Sequence, residues 1–231
     1  MEEVLNVISK QSIKSLGSSI RKQKKENNRV DNATINLLQN YRITYKEPMS
    51  HVFNTVNEVS KIVHGSSVTT YRIKRFESVI SKLVREPTMN LATMGDIAGC
   101  RCIVNNEVTL YKIVNELKGR FDIKSEQDYI VKPKPSGYKS FHLIVKIPND
   151  WRTVEVQIRT DIHHNWATLL EITDLLYKIK LKEGEEHPDL AKFHLQRSNI
   201  NMSSSEKEEF LALEQKLEVY LKLTEVISSN F

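Results

Sequence analysis

The spacing of apolar residues divides the chain into a helical first part, a strand-rich middle and a helical end. Apolar positions recur at helical spacing over 3–22 and again from 31 to about 64, where Pro48 suits the first turn of a second helix in that stretch. A third helical pattern covers 68–84. The chain up to this point is therefore predicted to be helical.

Short apolar runs typical of β-strands follow. The run DIAGCRCIV at 96–104 is rich in β-branched residues and thiols, which predicts a buried strand. FHLIVKI at 141–147 and TVEVQIR at 153–159 are separated by PNDWR, and this arrangement predicts an antiparallel hairpin. The other short elements predicted in this part are a helix and two strands, at 108–117, 121–123 and 129–131.

The end of the chain returns to helical spacing. One helix is predicted over 161–181, and a long amphipathic helix is predicted over 206–227. The order of elements predicts an α+β fold in one domain, with a mixed sheet flanked by helices and with helical extensions at both ends. The parts that we predict are an N-terminal helical region with a basic segment, a core and a C-terminal helical extension, at 1–64, 65–181 and 182–231.

The apolar stripe of the last predicted helix is compatible with three uses. It can pack on the core, pair with a second subunit or bind another protein, and packing on the core is the simplest interpretation. The stripe consists of Phe210, Leu213, Leu217, Tyr220, Leu221 and Leu223.

Composition predicts a folded, cytoplasmic protein. Of 231 residues, 39% are hydrophobic and 27% are charged, which supports a core inside a polar surface. No apolar run approaches the roughly 18–20 residues that a membrane helix needs, and the N-terminal MEEVLNVISK lacks the apolar region of a signal peptide. Cys100 and Cys102 lie two apart in a predicted strand, and this spacing favours two reduced core thiols over a disulfide or a zinc site.

Positive charge is concentrated near the N-terminus. The whole chain carries a net charge of +5, but the segment 10–30 alone has seven basic residues against the single carboxylate of Glu26. Such a cluster is typical of a site for a polyanion, although a solvated helix face has the same composition. The basic residues are Lys10, Lys14, Arg21, Lys22, Lys24, Lys25 and Arg29.

Familiar phosphate- and metal-binding motifs are absent from the sequence. None of the seven glycines lies in a GK[ST] or GxGxxG pattern, and HExxH does not occur. His163 and His164 are neighbours in a predicted helix, so their side chains diverge by about 100° and suit one metal ion poorly. A nucleotide site would therefore be built from charged residues on several elements.

Acidic and basic residues around the predicted sheet can form such a site. Asp96 opens a buried strand, where an unpaired carboxylate would be costly, and Glu155 lies in the hairpin. Two carboxylates that converge across a sheet can hold a divalent cation that also touches phosphate oxygens. Tyr138 can offer its ring face to a nucleobase. The cations suited to neutralise phosphates are Arg72, Lys74, Arg75, Lys82, Lys132, Lys134 and Lys139.

Five segments closely resemble motifs of the synthetase domain of the RelA/SpoT family, in the same order. They are RIKRFESVISK (72–82), DIAGCR (96–101), DYIVKPKPSGYKSFH (128–142), EVQIRT (155–160) and HHNWATLLE (163–171). No His-Asp dipeptide of the family's hydrolase half occurs, so the chain resembles a single-domain small synthetase. The resemblance implies a mixed sheet of five strands flanked by helices. It also implies Mg²⁺-dependent transfer of the β,γ-diphosphate of ATP to a ribose 3′-hydroxyl, with release of AMP.

The resemblance further implies a role for each matching residue. Asp96 and Glu155 would be the catalytic carboxylates and the Mg²⁺ ligands, and Glu155 would also be the candidate base for the attacking hydroxyl. Tyr138 would stack on the acceptor base, after a turn that Gly137 permits. The ATP-binding positions would be Arg72, Lys74, Lys82 and Arg101. The acceptor-binding positions would be Lys134, Tyr138, His142 and Gln157.

Two acceptors are compatible with the resemblance. One is GDP or GTP, which gives guanosine tetra- or pentaphosphate; the other is the 3′ end of tRNA, which toxic small synthetases modify to halt translation. PTMNLATMGDIAGCR (87–101) and the lack of histidine after Glu171 resemble the toxic branch, whereas the retained YK (177–178) resembles ordinary small synthetases. The two features of the toxic branch, together with the basic segment, favour tRNA.

A tRNA acceptor would have further consequences. Its phosphates would be contacted by Lys22, Lys24 and Lys25. A toxic enzyme must be restrained, so this interpretation implies an antitoxin, either a bound protein or a hydrolase that removes the product. The remaining alternative is a basic α+β domain that only binds RNA, and such a domain would neither consume ATP nor depend on Mg²⁺.

Overall fold

A computed structural model describes residues 9–179, 181, 187–197 and 203–217 of the chain. These residues belong to two compact units. The first unit contains the described residues up to 127 together with 142–158, and the second contains 128–141 together with the described residues from 159 onward.

The described residues form helices and one five-stranded sheet. The helices are α1 (Lys10–Asn27), α2 (Asn32–Ile43), α3 (Lys46–Val63), α4 (Phe76–Arg85), α5 (Glu107–Arg120), α6 (Asp161–Tyr177), α7 (Pro188–Arg197) and α8 (Ser204–Leu217). The strands are β1 (Val68–Ile73), β2 (Ala98–Val104), β3 (Ile123–Asp128), β4 (Phe141–Lys146) and β5 (Thr153–Thr160). In this part of the chain every helix is too short or too polar to span a bilayer. The cytoplasmic location stays a prediction.

The strands form one mixed sheet in the order β1-β2-β5-β4-β3. β1 pairs with β2 in antiparallel fashion, and the register places Thr70 opposite Arg101 and Arg72 opposite Gly99. The predicted α+β fold, with a mixed sheet of five strands flanked by helices, is confirmed. The two strands predicted around PNDWR are neighbours in this sheet, as β4 and β5.

Strand β2 buries every second side chain. Ala98, Cys100, Cys102 and Val104 are buried, and the predicted core thiols are confirmed as two free, buried cysteines. Burial raises the pKa of Cys100 to about 12 and that of Cys102 to about 11. Both thiols are therefore protonated at neutral pH, the form that is unreactive as a nucleophile.

The helix predicted over 68–84 is wrong in its first part. Residues Val68–Ile73 form strand β1, and helix α4 begins only at Phe76. The segment VTTYRI consists mostly of residues that favour strands, and pairing with β2 outweighs the helical spacing of its apolar positions. As a result, the predicted ATP-binding residues Lys74 and Lys82 lie on different elements, Lys74 after a strand and Lys82 in a helix.

The two short strands predicted after α5 also differ from the structure. The strand expected at 121–123 lies instead at Ile123–Asp128, where the side chains are largely exposed and no apolar alternation marks it. The strand expected at 129–131 is a turn. This turn forms because the Asp128 carboxylate accepts hydrogen bonds from the backbone N–H groups of Ile130 (2.9 Å) and Val131 (3.1 Å).

The predictions for the two ends fall partly outside the described residues. α1 begins at Lys10, after the capping residue Ser9, and 1–8 lie outside the described part. In α8, Phe210 and Leu213 of the predicted stripe are buried. The rest of the stripe also lies outside: the side chain of Leu217, and residues Tyr220, Leu221 and Leu223. The three-part division of the chain stays a prediction.

Aromatic residues of α6, α7 and α8 pack in the core of the second unit. Phe193 stacks on Phe210 with ring centroids 5.1 Å apart, and Leu190 joins this cluster. Trp166 donates from Nε1 to the backbone carbonyl of His194 at 2.8 Å, which ties α6 to α7. The His194 side chain is 1% exposed, and neither ring nitrogen has a hydrogen-bond partner within the described ranges.

His194→Leu should make the protein less sensitive to acid. Burial lowers the pKa of His194 from 6.5 to about 4. Between these values the unfolded chain binds a proton that the folded chain does not, so stability falls as the pH falls through that window. Leucine removes this loss and also removes two buried nitrogens without partners. We expect urea unfolding at neutral pH to show a gain of about 1 kcal/mol.

The control for this change is His51→Leu, at an exposed position of the first unit. It should leave the acid dependence of unfolding as in the wild type. A clear loss of stability in His194→Leu at neutral pH would contradict the prediction, because it would mean that the imidazole contributes a favourable interaction.

Candidate active site

Two lysines from different elements meet at one carboxylate oxygen in the first unit. Lys74 follows β1, Lys82 lies in α4, and Asp96 lies in the turn before β2. The Nζ atoms of Lys74 and Lys82 donate to Oδ2 of Asp96, at 2.8 Å and 3.0 Å. The pairing of β1 with β2 and a bond from the N–H of Lys74 to the carbonyl of Ile97, at 2.8 Å, bring these residues together. We call these three side chains the Asp96 cluster.

The carboxylate of Asp96 is held as an anion with one oxygen left over. Burial would raise its pKa, but the charges and hydrogen bonds of Lys74 and Lys82 hold the pKa below the ordinary 3.8. Oδ1 is buried, and no residue of the described ranges donates a hydrogen bond to it. Such an oxygen is costly to leave unpaired. Asp96 therefore presents a free acceptor beside two cations.

Glu155 lies on β5, the strand next to β2. Nδ1 of His142 lies 3.1 Å from Oε1, and Nε2 of Gln157 donates to Oε2 at 2.6 Å. Burial would raise the pKa of Glu155, but these two partners hold the pKa below the ordinary 4.5. The negative charge of Asp96 acts in the opposite direction. This repulsion indicates that the two predicted catalytic carboxylates lie in the same region.

Gly99 allows β2 and β5 to approach closely beside Glu155. A Cβ at position 99 would lie 2.9 Å from the backbone oxygen of Glu155 and 3.6 Å from its Cβ. Since a backbone oxygen cannot rotate out of the way, any side chain at position 99 would displace one of the two strands. The absence of a side chain at Gly99 thus sets where Glu155 stands relative to β2.

If Glu155 is catalytic, as the resemblance implies, Gly99→Ala should lower the turnover of diphosphate transfer by about ten- to a hundredfold, because the added methyl moves β5 and with it the carboxylate of Glu155. Steady-state kinetics below the unfolding temperature would measure the effect. Gly119→Ala is the matched control, since a Cβ there meets no atom within 4 Å. Equal turnover of the two variants would show that the strands absorb the methyl group without consequence.

The predicted ATP-binding arginines lie on β1 and β2. Arg72 is exposed and stands opposite Gly99, while Arg101 is half-buried and stands opposite Thr70. Directly opposed residues share a face of a sheet, and so do alternate residues of one strand. Arg72 and Arg101 therefore share one face, next to the end of β1 that leads to Lys74.

Two predicted acceptor residues, Lys134 and Tyr138, lie in the second unit, between β3 and β4. Gly137 has a positive φ of 86°, and its N–H donates to the carbonyl of Lys134 at 2.8 Å, so it permits the turn as predicted. The Tyr138 side chain is only 9% exposed. Nζ of Lys134 lies 5.1 Å and Cζ of Arg159 lies 4.8 Å from its ring centroid. Two cations thus lie against the ring that would stack on a base.

Three arginines have partners that the sequence pattern did not reveal. Arg159, which donates to the phenol oxygen of Tyr138, is marked only by its alternation with Glu155 and Gln157 along β5. Arg42 and Arg21 bind backbone carbonyls of the first unit. No sequence motif marks an arginine that binds a backbone carbonyl.

The predicted tRNA contacts Lys22, Lys24 and Lys25 have no hydrogen bond to the Asp96 cluster among the described residues. All three lie in the second half of α1, where Lys22 and Lys25 are exposed. Lys24 donates to the carbonyl of Asn28 at 2.9 Å, at the end of the helix. Their contact with tRNA stays a prediction.

A groove of about 1000 Å³ lies elsewhere in the first unit. It runs between the junction of α2 with α3 and the turn between β4 and β5, and Tyr41, Trp151 and Arg152 are among the residues that line it. None of the predicted site residues lines this groove. The charged cluster described above and this groove are therefore at different places, and Asp96 and Glu155 stay the predicted site.

Comparison with known proteins identifies relatives of the chain. Residues 71–182 match the region found in RelA and SpoT proteins. GTP pyrophosphokinase YwaC of Bacillus subtilis is 33% identical over 150 residues, which cover 57% of this chain and 71% of that protein. GTP pyrophosphokinase YjbM of the same organism is 31% identical over 149 residues, which cover 60% of this chain and 68% of that protein. The crystal structure of small alarmone synthetase 2 from Bacillus subtilis has a TM-score of 0.59 and 26% identity, over 80% of this chain and 98% of that one.

Proposed function

This chain belongs to the RelA/SpoT family and is a pyrophosphokinase of that type, and we propose that it moves the β,γ-diphosphate of ATP to the 3′-hydroxyl of GDP or GTP. The observation that carries the proposal is the Asp96 cluster, with two lysines on one carboxylate and Glu155 on the neighbouring strand. A guanosine acceptor is supported by the two Bacillus subtilis relatives named GTP pyrophosphokinases.

The cations of the first unit are proposed to bind the phosphates of ATP. Lys74 and Lys82 are held together by one carboxylate oxygen, which places two ammonium groups side by side. The exposed Arg72 and the half-buried Arg101 add guanidinium groups on one sheet face. Transfer of phosphoryl groups depends mostly on positioning and charge neutralisation, so this arrangement suits it.

The two carboxylates fit Mg²⁺ unequally. Oδ1 of Asp96 is a buried anionic oxygen without a donor, the kind of ligand that Mg²⁺ takes. Both oxygens of Glu155 already accept hydrogen bonds, so Glu155 offers only its remaining lone pairs. Within the described ranges, no three acidic, histidine or cysteine side chains come together in a way that could hold a metal ion. Water and ATP would therefore complete the coordination, and the bound ion would reduce repulsion between the phosphates and the incoming oxygen.

Glu155 is proposed to orient the acceptor hydroxyl. Because its pKa is lowered, the carboxylate is ionised at neutral pH and can accept a hydrogen bond from the 3′-hydroxyl. It can then take the proton as the new oxygen–phosphorus bond forms. His142 and Gln157 fix both of its oxygens, which favours orientation over strong basicity.

Stacking of guanine on Tyr138 is proposed to displace a cation from the ring. Lys134 is exposed, and its Nζ lies over the rings of both Tyr138 and Tyr129, at 5.1 Å and 4.8 Å from the two ring centroids. A base has a π-face of its own and a large apolar area, so it can replace a solvated ammonium group there. The released lysine would then be available for an acceptor phosphate.

The 3′ end of tRNA is the second candidate acceptor. It is supported by the exposed cations of α1, including Lys10, Lys14, Lys22 and Lys25, which could follow a phosphate backbone. The resemblance of 87–101 to the toxic branch points the same way. In this case a protein antitoxin or a hydrolase of the product would be a required partner.

One assay separates the two acceptors. The protein is incubated with Mg²⁺ and ATP labelled at the γ-phosphate, and with GDP, GTP or deacylated tRNA. Label in a guanosine nucleotide alone supports the first proposal, and label at the 3′ end of tRNA alone overturns it in favour of the second. Without any consumption of ATP, both proposals fail and a domain that only binds RNA remains.

Charge variants sharpen this assay. Changing Lys22, Lys24 and Lys25 to Gln should reduce transfer to tRNA and leave transfer to GDP unchanged, if α1 binds RNA. The matched control removes the same charge from exposed positions of the first unit, Lys46, Lys112 and Lys124. Equal loss in the two triple variants would indicate an effect of net charge and would remove α1 as the RNA contact.

A further inference from the structure

We infer that helices α1 and α2 hold the phosphate-binding lysines in place, with Arg42 and Arg21 as positioning residues for Lys74 and Lys82. The inference rests on the proposed function only in taking these two lysines as contacts of ATP. It assigns a role in the reaction to the N-terminal helical region, apart from any contact of its surface with RNA.

Arg42 fixes the backbone that carries Lys74. From α2, its Nε donates to the carbonyl of Lys74 at 2.7 Å. The N–H of Lys74 donates to the carbonyl of Ile97 at 2.8 Å, so both backbone polar groups of this residue are bound. The side chain then reaches Asp96 from a backbone that is held on two sides. Arg42 thus restricts where the ammonium group of Lys74 can stand.

Arg21 fixes the backbone at the end of α4, the helix that carries Lys82. In an α-helix the carbonyl of Leu83 would accept a bond from the N–H four residues later, but that residue is Pro87, which has no N–H. Arg21 supplies the missing donor, because its Nε donates to the carbonyl of Leu83 at 2.8 Å. Its Nη2 reaches the carbonyl of Glu86 at 3.5 Å. The turn next to Lys82 is therefore closed by a side chain from α1.

A third contact supports the segment that leads to Asp96. Gly17 of α1 packs so closely on Leu91 that a Cβ at position 17 would lie 2.7 Å from the Cβ of Leu91. Leu91 begins a 3₁₀ turn, Leu91–Thr93, shortly before Asp96. Gly17 has no side chain and thus lets α1 approach Leu91. Arginines of α2 and α1 thus bind the backbone at or next to Lys74 and Lys82, and α1 also packs on the turn that precedes Asp96.

The test measures the reactivity of each lysine without any substrate. Wild type and variants are treated briefly with acetic anhydride, and acetylation of Lys74 and Lys82 is read by peptide mass spectrometry, with exposed Lys46 as the internal standard. In Arg42→Gln we expect Lys74 to react about three- to tenfold faster and Lys82 to change less, because only the support of Lys74 is lost. Arg21→Gln should show the reverse. Arg42→Lys, which keeps a donor, should restore much of the protection.

Kinetics and binding give the functional readout. Arg42→Gln should raise KM for ATP by about tenfold, with a much smaller change in KM for the acceptor. It should also weaken the binding of a non-hydrolysable ATP analogue by about tenfold. Arg120→Gln is the control, an exposed arginine of the first unit whose Nη1 contacts Oε1 of Glu58 at 3.3 Å.

Two results would overturn the inference. One is unchanged labelling of Lys74 in Arg42→Gln together with unchanged labelling of Lys82 in Arg21→Gln. The other is faster labelling of all lysines, Lys46 included, which would mean that the arginines only stabilise the fold. Since the labelling needs neither ATP nor acceptor, a failure of the proposed function leaves this measurement intact and is recognised separately, as absence of transfer by the wild type.

Discussion

Asp96→Asn is expected to lower the rate of diphosphate transfer by about 10³-fold. Asparagine keeps the size of the side chain but removes its charge, so Lys74 and Lys82 lose the anionic oxygen that they share. Two ammonium groups released from a carboxylate still attract phosphates, whereas a divalent cation would lose the buried Oδ1. We therefore expect ATP to bind while turnover, and the enhancement of ATP binding by Mg²⁺, are lost.

Turnover at several Mg²⁺ concentrations and calorimetric titration with a non-hydrolysable ATP analogue measure these two effects. Asp122→Asn is the matched control, because it breaks an ion pair with Lys146 at 2.9 Å. The side chains of this pair are far more exposed to solvent than those of the Asp96 cluster. Loss of the half-buried pairs should cost about 1–3 kcal/mol of stability, which thermal unfolding would detect. Turnover within tenfold of the wild type, in a folded Asp96→Asn protein, would contradict the role of Asp96.

The inner strands could be predicted from the sequence, and the edge strands could not, for one physical reason. Periodicity detects burial, and β2 buries alternate residues along its whole length. β1 and β3 are the two edges of the sheet, and most of their side chains are exposed. β1 was therefore predicted as helix from the spacing of a few apolar residues, and β3 was misplaced. Only pairing with a neighbouring strand defines such segments.

The same limit applies to the site. A carboxylate next to a buried strand needs partners, so Asp96 could be singled out from the sequence. Its partners Lys74 and Lys82 lie 22 and 14 residues away and meet it only because β1 pairs with β2 and α4 follows β1. Arg42 and Arg21 were missed because they bind backbone carbonyls, and every residue has one. Such supports depend on packing, which residue identity does not encode locally.

Glu155→Gln is expected to lower turnover by about 10²- to 10³-fold with little change in the binding of ATP. The amide has the same shape but cannot accept a proton, and it carries an NH₂ group where the carboxylate accepts. His142 contacts one oxygen of Glu155 and Gln157 contacts the other, so the new NH₂ group would face one of these two donors. The side chain would therefore lose both its charge and part of its fixed orientation.

A double variant separates the position of the carboxylate from its charge. Glu155→Gln combined with Gln157→Glu exchanges the two side chains, so the net charge and a carboxylate–amide pair on alternate residues of β5 are both kept. If the acceptor hydroxyl is oriented at position 155, the double variant should be as slow as Glu155→Gln while thermal unfolding stays close to that of the wild type. Recovery of turnover in the double variant would contradict the role of Glu155, because a carboxylate two residues away would then be sufficient. Recovery is not expected, since two residues along a strand correspond to about 6–7 Å, far more than the distance over which a hydroxyl can be oriented.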